Sequence, residues 1–516
     1  MPSMVHIKSF GYTGRRVLVD RVHSIVSNRV QKDDEQYLVR WNTDNASDQA
    51  PLSWHSIKEL LRCLEHVQDY LEVREKSMGS LEQLQPITKK RKTPDSGLEY
   101  ERRSSPFDSH LYHANHGGQT PSFSQSPTAT PPPSPPDFYN GVMDVNKHGY
   151  IFCRMSTGPD VPPRLDTHTV PTQEMKQTAQ RSSVEKALAY IRNEYVFRLS
   201  KVTGHKPIKL VNLVDSSTPS LRFRYISENI LQPGVIRASP ETQTGCQSCS
   251  PHMGRDIGCE YTRKCDCLEY APVDESRLDS AQKLQYQHAL KKGLSTMGLP
   301  KKFPYYAVGT STGCLVPFYL KSRSPIYECN DKCNCGPHCR NKNVQFGRRV
   351  EVEIFRATDG RGWGLRCTED LHEGQFIDTY RGEIITDAEA ERRENASSSK
   401  AKASYLYSLD KFKESEGLED KDMYVIDGEF MGGPTKFINH SCDPNCRQYT
   451  VSYNRHDPRV YDIAFFASRF IPSGEELTFD YLDKDEDEGE DDMDEPGEGA
   501  IPCLCGTKKC RKWLWT

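Results

Sequence analysis

Nine cysteines crowd into two short runs, and that crowding limits what the chain can fold into more than any other feature. The first run is Cys246-x2-Cys249-x9-Cys259-x5-Cys265-x-Cys267; the second, after a long insert, is Cys329-x3-Cys333-x-Cys335-x3-Cys339. Thiolates this close suit Zn2+, which takes four soft ligands in a tetrahedron. Nine thiolates leave a remainder if split between two separate four-cysteine sites. They satisfy three ions if six are terminal and three bridge, because three tetrahedra need twelve metal–sulfur bonds. An iron–sulfur cluster also uses thiolates and is the rival reading. Unrelated buried cysteines do not account for two Cys-x-Cys pairs. Sites closed by thiolate leave no open position for substrate, so the expected role is structural. Cys314, alone in the insert, reads as an ordinary thiol rather than a ligand.

The chain holds 18 cysteines in 516 residues. Met1-Pro-Ser-Met-Val-His-Ile-Lys8 lacks the apolar core of a secretion signal, and no run of about 18 apolar residues is present to cross a bilayer. An intracellular, reducing location without membrane attachment is expected, where dense cysteine usage points to metal and not to disulfides. Net charge is −4 but unevenly spread. Lys89-Lys90-Arg91-Lys92 reads as a nuclear import signal, whereas Asp483 to Glu498 holds eleven acidic residues and one lysine and reads as a solvated loop.

At 516 residues and 35% hydrophobic content, several folded units with unpacked chain between them are expected. Residues 15–75 form a candidate module: Val17 to Val22 and Tyr37 to Trp41 read as strands, and Ser56 to Glu75 reads as an amphipathic helix. Residues 76–180, rich in Pro, Ser, Thr and His, read as a disordered linker, since they bury too little apolar surface to offset ordering. Residues 181–245 carry a helix from Ser182 to Leu199 and an extended flank. The cysteine unit spans 246–345, a mostly β domain of short strands punctuated by glycine spans 346–482, and the acidic insert and a cysteine tail fill 483–516.

That tail, Cys503-x-Cys505-x4-Cys510, supplies three thiolates, one short of a closed zinc site. Cys442 is the leading fourth ligand, with Cys446 or a partner protein as the alternative. Gly360-x-Gly362-x-Gly364 imitates the glycine loop of Rossmann-type methyltransferases, but such a loop must open a helix, and Leu365 to Ile385 reads as strand, turn and strand.

The order Gly362-Trp363-Gly364, Tyr405, Asn439-His440-Ser441-Cys442, Glu475-Glu476-Leu477-Thr478-Phe479-Asp480-Tyr481 and the cysteine tail resembles SET-domain lysine methyltransferases. The nine-cysteine unit resembles the pre-SET region, and the whole of about 182–516 resembles the suppressor-of-variegation class that methylates lysine 9 of histone H3. The resemblance implies short curled sheets with a pseudoknot, a pre-SET unit holding three zincs and a post-SET tail holding one. It implies S-adenosylmethionine bound by Gly362, Trp363, Gly364, Asn439 and His440, with Phe430 in place of a frequent cofactor-side tyrosine and Lys436 in place of an arginine. It further implies Tyr481 and Tyr405 as catalytic tyrosines and Phe479 as the residue limiting the substrate channel, wide enough for di- or trimethyl products. The partners it implies are the histone H3 tail and chromatin in the nucleus, with a role in heterochromatin and gene silencing.

Residues 15–75 resemble a degenerate chromodomain. Trp41 matches one wall of a methyl-lysine cage, Val17 and Asp44 stand at the other two, and Trp54 looks structural. A silencing-complex protein or nucleic acid is the expected partner of this module, with methyl-lysine reading as the alternative. Two other functions compete: a catalytically silent scaffold on a SET fold, and methylation of a non-histone protein. Asn439, His440, Tyr405 and Tyr481 argue against silence, since a scaffold has no need of them.

Overall fold

Strand Asp462–Ala467 is buried from Ile463 to Ala467, and such a run without alternation requires cover on both faces. It lies inside a four-stranded sheet, in the order Ile326–Tyr327, Cys446–Ser452, Asp462–Ala467, Phe376–Tyr380, in a computed structural model of the chain. The structure describes residues 22–42, 52–78, 170–202, 206–247, 249, 259, 265–396, 405–483 and 501–515, and the backbone of four short strands, Met4–Lys8, Arg15–Val17, Met143–Val145 and Tyr150–Cys153. It divides into two units, Met1–Ser80 with Gly97–Ala187, and Leu81–Ser96 with Leu188–Thr516.

In the first unit, Val22–Gln31, Asp34–Trp41 and Leu52–Ser56 form an antiparallel sheet in that order. Lys32 and Asp33 turn the hairpin with φ of 50° and 61°, the backbone a two-residue hairpin loop needs. The expected helix from Ser56 divides in two. The Ser56 side chain accepts from Lys58 N to cap a 3-10 turn, Ile57–Leu60, and the α-helix runs Leu64–Met78, burying Leu64, Val67 and Leu71. Of the expected strand at Val17 to Val22, residues 18–21 lie outside the described residues; Val17 ends the strand Arg15–Val17 and Val22 opens the strand Val22–Gln31.

Two expectations are corrected in this unit. The C-terminal end of the 76–180 linker is folded: Val170 packs with Leu38 and Leu52, and Thr172 caps the helix Gln173–Arg181. Arg74 donates to the carbonyls of Ala179 and Gln180, both at 3.1 Å, which explains why a polar helix holds there. Residues 79–142, the basic run among them, lie outside the described residues. Trp41 is 1% exposed, donates its indole N–H to Ser53 Oγ at 2.8 Å and meets the His55 ring edge-on at 5.4 Å, so it is a core residue and not an open cage wall. Asp44 and the Val17 side chain lie outside the described residues.

The second unit is mostly β. A second four-stranded sheet runs Ile230–Leu231, Glu383–Thr386, Tyr424–Asp427, Leu406–Ser408, and a three-stranded one runs Trp363–Cys367, Val352–Arg356, Ile208–Val211. Asn439–His440 pairs in parallel with Thr478–Phe479, which draws two distant motifs side by side. Parallel pairing needs a crossover and cannot come from a hairpin, the pairing a pseudoknot requires. Phe465, Phe466, Ile463 and Leu477 are fully buried, each worth about 1.5–3 kcal/mol in transfer from water. The buried Glu328 carboxylate accepts from Tyr305 Oη (2.7 Å), Asn343 N (2.8 Å) and Val344 N (2.8 Å), which fastens the cysteine-rich unit to the turn Val344–Phe346. Within the long insert, Asp279 and Gln282 form a capping box for the helix Ser280–Lys292. Among the described residues no helix is long and apolar enough to cross a membrane.

Candidate active site and metal centres

The strand pair Asn439–His440 and Thr478–Phe479 sets the geometry. The Asn439 amide nitrogen donates to the Trp363 carbonyl (3.1 Å) and to Glu476 Oε1 (2.9 Å), while Arg361 donates to Glu476 Oε2 (2.6 Å). Residues from three motifs thus share one network. Gly364 is required for it: a Cβ there would lie 2.8 Å from Glu476 Oε1 and from the Phe355 ring. Gly362 takes φ of +87°, a conformation glycine adopts freely. The Trp363 ring is half-buried under the Arg356 guanidinium, 5.5 Å from its centroid.

His440 is buried. Its Nδ1 accepts from Tyr481 N (3.1 Å), and its Nε2 faces Cys442 Sγ (3.2 Å). Tyr481 Oη donates to the Ile438 carbonyl (2.9 Å), and its ring stacks obliquely on Phe479 (4.7 Å), which continues to Phe465 (4.8 Å). Burial pushes the Tyr481 hydroxyl well above its usual range, and the nearby Tyr405 and Glu476 add to this. Tyr405 is raised by burial too, then by Glu429. The expected cofactor-side and catalytic residues Gly362, Trp363, Gly364, Asn439, His440, Tyr405 and Tyr481 therefore come together. Phe430 is 42% exposed, its carbonyl accepts from Arg224 N (2.7 Å), and the carbonyl of the adjacent Glu429 accepts from Lys436.

Sequence reading missed three contributors. Tyr380, which belongs to no motif, donates its hydroxyl to the Tyr405 carbonyl at 2.6 Å and is raised by burial, then by Asp427, with Tyr405 and Tyr481 nearby. Glu476 and Arg361 are the other two, the carboxylate and guanidinium of the Asn439 network. Lys436, noted as a departure, has its ammonium 3.9 Å from the Phe223 ring centroid and 4.5 Å from that of Tyr405, and donates to the Glu429 carbonyl (2.8 Å). No sequence signal pairs these groups, since each pairing joins separate segments of the chain.

The nine cysteines gather into one buried body although the insert separates their runs. Sets whose sulfurs lie mutually within 4.8 Å are Cys246, Cys249, Cys259 and Cys265; Cys259, Cys329, Cys335 and Cys339; Cys246, Cys265, Cys267 and Cys329; and Cys246, Cys329, Cys333 and Cys335. A tetrahedron with Zn–S near 2.3 Å puts sulfurs about 3.8 Å apart. The separations include Cys267–Cys333 at 3.2 Å, Cys259–Cys329 at 3.5 Å and Cys246–Cys259 at 3.9 Å. Gly245 lets the two runs meet: a Cβ there would fall 2.3 Å from the Lys332 carbonyl carbon and 2.4 Å from Cys333 N. The tail forms a second set, Cys442, Cys503, Cys505 and Cys510. Cys446 is buried against the Asn445 side chain (3.3 Å) and Cys314 is buried, and neither enters a set. These all-thiolate donor sets fit zinc.

The sequence matches the SET domain family over residues 362–482 and the Pre-SET motif over 200–342. It is 40% identical over 318 residues to the H3 lysine-9-specific histone-lysine N-methyltransferase KMT1 of Fusarium mangiferae, covering 60% of this chain and 88% of that protein. It is 38% identical over 320 residues to the H3 lysine-9-specific dim-5 of Neurospora crassa, again 60% and 88%. To the histone-lysine N-methyltransferase SUV39H1-A of Danio rerio it is 41% identical over 331 residues, 61% of this chain and 68% of that one. With the His440–Tyr481 contact and the nine-thiolate body in place ahead of the tail set, the chain belongs to the SET-domain histone-lysine N-methyltransferases specific for lysine 9 of histone H3.

Proposed function

We propose that the chain moves methyl groups from S-adenosylmethionine to lysine 9 of the histone H3 tail, that it forms di- or trimethyl-lysine, and that it acts on nuclear chromatin in heterochromatin formation and silencing. The observation that carries this reading is the placement of Tyr481: amide on His440, hydroxyl on the Ile438 carbonyl, ring on Phe479.

When bound, the donor supplies a methyl group on a cationic sulfur. The residues fit it. The half-buried Trp363 ring gives a flat face, Gly362 leaves its backbone uncovered by a side chain, and Lys436 gives a cation for a carboxylate. The lysine amine must arrive neutral, and at a pKa near 10.4 that costs roughly 4–5 kcal/mol at pH 7. A desolvating channel and a nearby cation lower this cost. Tyr481 and Tyr405, raised by burial, stay protonated at neutral pH, so they act as fixed hydroxyl dipoles that orient the amine and not as bases. Phe479, 1% exposed, has no hydroxyl to hold an amine against rotation, which leaves space for methylated substrate.

The nine thiolates would hold three zincs, with Cys246, Cys259 and Cys329 each shared between two sets. One ion takes Cys246, Cys249, Cys259 and Cys265, and one takes Cys259, Cys329, Cys335 and Cys339. The third takes Cys246, Cys267, Cys329 and Cys333, supported by the 3.2 Å approach of Cys267 to Cys333. A fourth zinc takes Cys442, Cys503, Cys505 and Cys510. The N-terminal module, with Trp41 in its core, serves to bind silencing-complex proteins and not methyl-lysine.

The test is transfer of label from tritiated S-adenosylmethionine into an H3 tail peptide and into the same peptide with lysine 9 replaced by arginine. Label in the first alone supports the reading. Label in neither, with zinc fully loaded, supports a silent scaffold; label only in other chromatin proteins supports a non-histone substrate.

A further inference from the structure

The cysteine tail does more than complete a metal set. Arg511 follows Cys510, and its own backbone N–H donates to Cys442 Sγ at 3.4 Å, so two members of the tail set flank it. Its guanidinium grips Asp480 with two nitrogens, Nη1 to Oδ2 at 2.7 Å and Nη2 to Oδ1 at 2.5 Å. Asp480 is 9% exposed and immediately precedes Tyr481. Its Oδ1 also accepts from Leu482 N (3.0 Å), closing the backbone turn around Tyr481, and stands 3.5 Å from His440 Nδ1, the atom that receives the Tyr481 amide. A forked guanidinium–carboxylate contact is directional and fixes both partners.

We propose that Arg511 is a positioning residue: closing the tail metal set places its guanidinium on Asp480, and that contact sets the turn that aims the Tyr481 hydroxyl. The inference rests on the proposed role of Tyr481. It makes the tail a condition for catalytic geometry and not only a cover. With the tail open, the Asp480 carboxylate loses its only forked partner among the described residues and the turn is free to rotate.

The experiment compares the full-length protein with Arg511→Ala, Arg511→Lys, Asp480→Asn and the Arg511→Ala/Asp480→Asn pair. Zinc per chain and steady-state methyl transfer to an H3 tail peptide are measured for each. Arg511→Ala is expected to keep its zinc content and the KM for S-adenosylmethionine while kcat falls roughly 10- to 100-fold, the scale of an ångström-size misplacement. Arg511→Lys recovers part of the loss, and the double variant loses no more than the worse single one. If Arg511→Ala keeps its kcat, or if the two losses multiply, the inference is overturned with the functional reading intact. If kcat falls only in proportion to lost zinc, Arg511 is structural and the inference again fails. Absence of transfer by the unaltered, zinc-loaded protein would overturn both.

Discussion

The backbone amide of Tyr481 donates to Nδ1 of His440 at 3.1 Å, which leaves the imidazole proton on Nε2, facing Cys442 Sγ at 3.2 Å. One ring thus joins the tyrosine proposed as catalytic to a cysteine of the tail metal set. Replacing His440 with Phe keeps a flat ring but strands the Tyr481 amide, at a cost of about 1–3 kcal/mol. Melting temperature should fall accordingly and methyl transfer by more than tenfold, both measured on zinc-loaded protein.

The tyrosines make the site sensitive to alkali. Tyr380, Tyr405, Tyr407 and Tyr481 are all raised by burial. An unfolded tyrosine ionises near pH 10 while these stay neutral in the fold, so their contribution is intact below about pH 10 and is lost as pH rises beyond it. Thermal melts between pH 8 and 11 should show stability falling only in the upper part. The transfer rate should rise up to about pH 10 with the neutral fraction of the substrate amine; a fall beginning near pH 8 would contradict this account.

Tyr407 is fully buried, and its hydroxyl has no hydrogen-bond partner among the described residues. Removing an unpaired buried hydroxyl relieves a desolvation cost of about 1–3 kcal/mol, while the ring still packs on Tyr380 at 5.6 Å. Tyr407→Phe should therefore raise the denaturation midpoint and lessen the alkaline loss.

The thiolate division makes unequal demands on the cysteines. Cys329→Ser, at a proposed bridge, should release two zincs per chain, whereas Cys249→Ser, at a proposed terminal position, should release one or none. Native mass spectrometry of the two variants checks this; equal losses would refute the bridging assignment.

Much of this was legible in residue order. The strands at Phe376–Tyr380 and Tyr424–Asp427 stand where apolar and β-branched runs put them, and both cysteine groups are as spacing implied. Strand Cys446–Ser452 was not seen, because Gln448, Thr450 and Ser452 are polar yet buried in the interior of a sheet, so alternation is missing. Helix Gln173–Arg181 hid in a composition that reads as linker, since its hold is Arg74, a residue far off in sequence. Trp41 was placed by motif at a cage wall, but the Ser53 and His55 contacts that draw it inward come from the neighbouring strand. The Arg511–Asp480 fork likewise joins groups that no local pattern connects.

The central claim is that the chain methylates lysine 9 of histone H3 with Tyr481 orienting the amine. It is tested most directly by mass spectrometry of an H3 tail peptide after incubation with S-adenosylmethionine, with zinc-loaded protein and its Tyr481→Phe variant side by side. That variant keeps the ring contacts with Phe479 and His440 and loses only the hydroxyl. The account predicts two or three added methyl groups on lysine 9 with the unaltered protein and a rate about 10²- to 10³-fold lower in the variant, the range for loss of one preorganised hydrogen-bonding group. Equal rates, or methylation of a different lysine, would contradict it.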